Sequence, residues 1–231
     1  MIKHHPKIEL IQAFVDGDLP ASLSAGIAMH AEMCSQCQQK IVQLTEHAAE
    51  VSFEEAFLDK FIVDDTSTIM SDSDSDDIDF EAMAELISQS NDIDIPEPAL
   101  DKSIVFNDKT YKLPKALNNM PMSKISNIGK LSRARLQLDE NEIHTSLLQI
   151  EAGGGVPEHT HKGFELTLLL DGSFHDESGE YVKGDFIMLD GSHQHHPVSK
   201  EGCLCYTVAN DALHFTQGIN KLLNPIGSFI Y

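Results

Sequence analysis

At 231 residues with 41% apolar side chains, the chain is long enough to fold into two modest domains. Its formal net charge of −21 argues against a nucleic-acid surface, which needs clustered Lys and Arg, and suits a basic protein partner instead. The charged start MIKHHPKIELIQAF does not read as a signal peptide, no apolar run is long enough to span a bilayer, and the four cysteines fall as one C-x2-C and one C-x-C pair, so a reducing cytoplasm is the expected compartment.

Residues 1–58 read as helical. Ile8, Ile11 and Val15, flanked by Leu10 and Phe14, form an apolar stripe that stops at Gly17. A second segment starts near Ser22 and carries Leu23, Ile27, His30 and Cys34 at helical spacing, which puts His30 and Cys34 one turn apart on one face. Cys37 opens a third segment with Ile41, Leu44, Ala48 and Val51. The stretch 59–97 then changes character, with 13 Asp or Glu against one Lys. A solvated acidic linker is expected within 59–79, centred on the Ser-Asp run at 71–77. Inside the acidic stretch, Phe80, Met83, Ala84 and Ile87 form a short amphipathic helix that Pro96 and Pro98 end. That stripe either packs on its own domain or faces a partner.

From about residue 100 the pattern becomes β. IVF (104–106), KLSRARLQL (130–138), EIHTSLLQI (142–150), FELTLLL (164–170), DFIMLD (185–190) and CLCYTVA (203–209) are separated by the turn signals DEN, GGG, DGS, ESGE and KEG. Short, evenly spaced strands predict a sandwich or small barrel. The expected architecture is therefore two-domain, with helices over 1–95 and an all-β domain over 100–231.

Two metal-ligand patterns of different character stand out. His30-x3-Cys34-x2-Cys37 supplies two thiolates and an imidazole, the donors of a structural zinc site, and a fourth donor is available from His4 or His5. His159-x-His161-x3-Glu165, followed by His195, offers only nitrogen and oxygen and suits zinc or another first-row transition metal. Alternation puts 159, 161 and 165 on one face if a single strand runs through them. His193 shares parity with His195 and is a rival donor, and His196 is a weaker one. Cys203 and Cys205 also share a strand face; they are either buried small apolar groups or a redox-responsive pair near the second metal.

The segment HHPKIELIQAFVDGDLPASLSAGIAMHAEMCSQC resembles the zinc-binding anti-sigma domain of ChrR-type regulators. That resemblance selects His5 over His4 and implies the ligand set His5, His30, Cys34 and Cys37. The second pattern resembles the first cupin motif through Gly153, His159, His161, Glu165 and Gly172, and the second motif from Gly184 to His195. Asp190, Ser192 and Ser199 stand where that motif usually has Pro, Gly and Asn, which puts the turn geometry in question. The resemblance implies an N-terminal all-α zinc-binding anti-sigma domain and a C-terminal cupin barrel (double-stranded β-helix, jelly-roll). It implies a cytoplasmic anti-sigma factor, not an enzyme, that makes no direct contact with nucleic acid or membrane. Such a protein sequesters a sigma factor of the extracytoplasmic-function class and releases it on an oxidative signal such as singlet oxygen or an organic hydroperoxide. Phe80, Met83 and Ile87 would join the sigma-binding surface. The rival reading is a metal-dependent cupin dioxygenase or isomerase with an accessory zinc domain.

Overall fold

The computed structural model describes residues 1–62, 80–89, 102–211 and 214–215. The Ser-Asp run at 71–77, and with it most of the expected linker, lies outside them. Four α-helices are described, α1 Ile8–Asp16, α2 Ala21–Met33, α3 Ser35–Ile62 and α4 Phe80–Gln89, with a short 3-10 helix at Lys115–Leu117. Gly17 ends α1 as its spacing predicts. It sits at φ 78°, in the left-handed region, and the N–H groups of Gly17 and Asp18 return to Phe14 and Ala13. The start of α2 is capped from far away in sequence: the Glu140 carboxylate accepts the Ser22 N–H at 3.0 Å.

His30 and Cys34 do not share one helix, as their spacing suggests. Cys34 is extended, at φ −125° and ψ 99°, and breaks α2 from α3. The break turns the chain so that Cys34 and Cys37 are both buried, in a small apolar cluster with Ile11 and the half-buried Ile2, Ile41 and Leu44.

Strands follow as β1 Ser103–Phe106, β2 Lys109–Lys112, β3 Ser126–Ile128, β4 Leu131–Leu136, β5 His144–Ile150, β6 Gly154–Gly155, β7 His159–Thr160, β8 Phe164–Asp176, β9 Gly179–Val182, β10 Phe186–Asp190, β11 Gln194–His195, β12 Val198–Ser199, β13 Cys203–Ala209 and β14 His214–Phe215. The main sheet runs β3-β4-β5-β13-β8-β12-β6, with β9 and β10 also paired to β8. A smaller sheet, β11-β7-β14, carries two of the candidate metal donors. Every pairing is antiparallel, as expected for a cupin barrel. Asp171-Gly172-Ser173, expected as a turn, lies inside β8. Gly172 adopts φ 75° yet pairs with Cys203, and the extra residue on β8 is Leu170, between the Asp171–Leu204 and Leu169–Cys205 pairs, so the strand runs on through the expected turn with a bulge just before it.

Residues 1–48 and 101–231 form one compact unit and residues 49–100 a second. Within the first unit the main sheet is buried on both faces. Leu166, Leu168, Leu204, Tyr206 and Val208 pack with Leu23, Ile27 and Met29 of α2, while Leu169, Cys203, Cys205 and Ala209 pack inside the barrel with Ile150, Phe174 and Ile187. This explains the unbroken apolar run LTLLL: a strand covered on both sides does not alternate. The helix comes close because residue 26 is glycine; a Cβ there would lie 2.8 Å from Leu166 Cδ2. Tyr206 Oη donates to the Ser22 carbonyl at 2.8 Å across this seam. No described helix is long and apolar enough to cross a membrane.

Candidate metal centres

The first cluster forms where the chain start, the end of α2 and the start of α3 meet. His5, His30, Cys34 and Cys37 each offer a ligand atom, and all four lie within 4.8 Å of one another. His5 Nδ1 is 3.4 Å from Cys34 Sγ and 3.5 Å from Cys37 Sγ. His4 turns away, to 3.5 Å from the Asp185 carboxylate and onto the Tyr181 ring. His30 is fully buried, and its Nδ1 donates to the Gly184 carbonyl at 2.7 Å. That fixes the tautomer and leaves a bare lone pair on Nε2, which is buried with no hydrogen-bond partner. Burial lowers the His30 pKa and keeps the ring neutral, the state a ligand needs. A buried, unpartnered imidazole nitrogen facing two thiols is a poor arrangement without an ion and a fitting one with it. Two sulfur and two nitrogen donors match zinc.

The second cluster lies inside the barrel. His159, His161, Glu165 and His195 are all buried, with ligand atoms again within 4.8 Å. They converge for a reason other than a shared strand. β7 ends at Thr160, His161 falls in the break before β8, and Glu165 opens β8. His195 arrives from β11, whose register sets it directly opposite His159. His159 Nδ1 donates to the Pro157 carbonyl at 2.8 Å, and His195 Nδ1 lies 3.5 Å from the Asp176 carboxylate. Both Nε2 atoms are thereby aimed inward and meet at 2.9 Å. At that distance either a proton on one Nε2 bridges the two rings or a cation beside both accepts their lone pairs.

In the metal-free chain a proton on His195 can serve. Burial opposes that charge, but the Glu165 and Asp176 carboxylates outweigh it and raise the His195 pKa. Burial instead drives His159 down to about 3. Burial alone would raise Glu165, but hydrogen bonds from His161 (2.9 Å) and His195 (3.4 Å) hold it well below the usual carboxylate range. A divalent ion would replace the proton and satisfy all four donors, so the set fits zinc or another first-row ion.

The rival donors are placed elsewhere. His193 and His196 are exposed, and His193 pairs with Asp190 at 2.8 Å. Asp190 also accepts the N–H of Ser192 at 3.0 Å and its hydroxyl, forming a turn that replaces the missing Pro and Gly. Ser199 is buried; its Oγ donates to the Ser173 carbonyl at 2.6 Å and accepts the Gly202 N–H at 3.0 Å.

Cys203 and Cys205 are buried with their sulfurs 4.0 Å apart, in contact but not bonded. Cys205 lines the cavity beside the barrel cluster, together with Leu148, Ile150, Val156 and Phe174. Hydrogen bonding between the two thiols raises the Cys205 pKa and lowers that of Cys203. On α4, Met83, Leu86 and Ile87 are exposed. Sequence spacing did not reveal the outer partners Asp176, Gly184 and Asp185. Each meets its imidazole or backbone across a long stretch of chain, which no local motif encodes.

Residues 119–212 match the family model described as the ChrR cupin-like domain. Over 97% of its length the chain is 26% identical to the anti-sigma-E factor ChrR of Cereibacter sphaeroides, and the match covers 97% of that protein. The chain is thus similar to ChrR along nearly its whole length. It also superposes, with TM-score 0.60 and 24% identity, on the crystal structure of Rhodobacter sphaeroides SigE in complex with the anti-sigma ChrR, covering 90% of this chain and 99% of that one. The ChrR-like fold is thus shared across both the helices and the barrel.

Proposed function

We propose that this protein is a cytoplasmic anti-sigma factor. It sequesters a sigma factor of the extracytoplasmic-function class and releases it when the barrel meets an oxidative signal such as singlet oxygen or an organic hydroperoxide. The observation that carries this reading is the end-to-end similarity to the anti-sigma-E factor ChrR, which spans helices and barrel together. On this reading His5, His30, Cys34 and Cys37 hold a structural zinc ion. His159, His161, Glu165 and His195 hold zinc or another first-row metal. The exposed apolar side chains of α4 (Met83 and Ile87, with Phe80 of the same helix) supply part of the surface that binds the sigma factor. The chain's negative charge favours approach of basic sigma helices and makes capture sensitive to salt.

A regulatory role is favoured over an enzymatic one by the size of the barrel cavity. It is about 40 Å³, lined mainly by apolar side chains beside His159, Glu165 and His195. A single water needs about 10–15 Å³ on this scale, whereas small-molecule sites run to about 300–1,000 Å³. The cavity therefore suits an ion and a few small ligand atoms better than an organic substrate. When bound, a redox-active first-row ion would supply a centre responsive to oxidants, whereas zinc, which has no redox change of its own, would leave that response to the thiols. The Cys205 thiol, lining the same cavity, and its neighbour Cys203 are the groups placed to be oxidised next. Co-expression with the sigma factor of the same genome tests the proposal. The two proteins should co-purify, and a reporter driven by that sigma factor should be silent until oxidant is added. Failure to co-purify, with a reporter that ignores this chain, would exclude it.

A further inference from the structure

Two of the four donors in the N-terminal cluster are held in place by the barrel. The turn entering β10 reaches both. The Gly184 carbonyl accepts His30 Nδ1–H at 2.7 Å, which aims Nε2 into the cluster. The next residue, Asp185, is 0% exposed, and its carboxylate points at the start of the chain. Oδ1 accepts the backbone N–H groups of Lys3 at 2.7 Å and His4 at 3.0 Å. Oδ2 accepts the Val182 N–H at 2.8 Å, which anchors the carboxylate in the barrel, and lies 3.5 Å from His4 Nδ1. The Phe186 N–H then donates to the His4 carbonyl at 3.0 Å.

Residues 1–7 form neither helix nor strand, so their order depends on bonds of this kind. His5 follows the pinned dipeptide directly and is delivered to within 3.5 Å of both cysteine sulfurs. A buried carboxylate is costly unless its oxygens are satisfied. Here two of the three backbone N–H groups that satisfy it belong to the N-terminal segment, not to the barrel.

We propose that Asp185 is a positioning residue for the N-terminal metal site, so that helices and barrel build this site jointly and its affinity depends on the barrel turn at 184–186. The proposal rests on the metal reading of the His5–His30–Cys34–Cys37 cluster. Outer partners of metal ligands typically change affinity by about 10- to 100-fold when removed.

The test uses the full-length chain, with zinc affinity measured by competition against a chromophoric chelator. Cobalt(II) substitution adds a site-specific readout: the near-ultraviolet thiolate-to-metal band reports only the cysteine-containing site, since the four barrel donors include no sulfur. Asp185→Ala should weaken zinc at the thiolate site by about 10- to 100-fold and alter the cobalt band as His5 is lost. Asp185→Asn keeps an acceptor oxygen for Lys3 and His4 and should fall between wild type and Asp185→Ala. Equal affinity and an unchanged band in both variants would overturn the proposal. So would a loss that merely tracks a lower melting temperature of the metal-free chain, because Asp185 would then serve only the barrel. A wild-type chain with no thiolate band at all would refute the metal reading itself, independently of Asp185.

Discussion

Truncating Leu86 or Ile87 to alanine separates partner binding from internal packing on α4. These side chains are 72% and 70% exposed, so most of each is available for a partner to cover. Either change removes three carbons, and a buried methylene is worth about 0.8 kcal/mol. Scaling by the exposed fraction gives a loss of about 1.7 kcal/mol of binding energy per site, or roughly a 17-fold rise in Kd. The free chain should barely notice, because an exposed substitution of this kind stays within about 0.5 kcal/mol and alanine favours helix. Titrating the sigma factor from the same genome against wild type and both variants, with melting curves of the free proteins, gives both numbers. A Kd within twofold of wild type for both variants would refute the partner-facing assignment. Affinity intact and melting temperature depressed would show that the stripe serves the fold instead.

Three further outcomes are expected. Burial and the neighbouring Cys34 thiol push the Cys37 thiol up to about 11, so at neutral pH the metal-free chain keeps that proton and zinc must expel it. Zinc affinity at this site should therefore rise with pH and fall in acid, by about tenfold per pH unit for each proton released, as calorimetry in buffers of different ionisation enthalpy will count. Glu165→Gln should leave sigma binding close to wild type, since Glu165 is buried inside the barrel, but should blunt induction of the reporter by oxidant. High basal reporter activity in that variant would instead mean that the barrel is needed for sequestration. Tyr206→Phe removes the bond to the Ser22 carbonyl across the helix–sheet seam and should cost about 1–2 kcal/mol in denaturant unfolding; no change would mean that the seam does not depend on it.

Much of the fold was readable where the signal is short-range. Gly17 ended α1, CLCYTVA matched β13 residue for residue, and three donors of each cluster were visible as spacings of two to four residues, with His5 and His195 lying 25 and 30 residues away. The argument for the barrel cluster named four residues that do lie together in the structure, but for an incomplete reason. Strand alternation cannot place His161, because β7 has ended before it; the cluster is assembled by the β7–β11 register and the return of the chain at β8. The Asp171-Gly172-Ser173 turn signal failed because pairing with β13 up to Gly172 and with β9 from Ser173 onward carries the strand straight through it. What no local pattern encodes is contact between distant segments. Asp185 lies more than 180 residues from the Lys3 and His4 amides that it accepts, and LTLLL announces a strand covered on both faces without saying by what.

The doubly covered sheet bears on how this protein can be cut. A fragment beginning at residue 101 would retain the barrel donors but lose α2, uncovering the apolar side chains of Leu166, Phe186 and Tyr206 that lie against Gly26, while Phe106, Tyr111, Leu113 and Leu117 stay packed on the rest of that face. Such a face on a free domain invites self-association. The matching helical fragment would bare Leu23, Ile27 and Met29. Dissection at the acidic stretch therefore yields two sticky halves, and a soluble isolated barrel calls for polar replacements on the α2-facing positions of β8 and β13, or for α2 grafted back through a short linker.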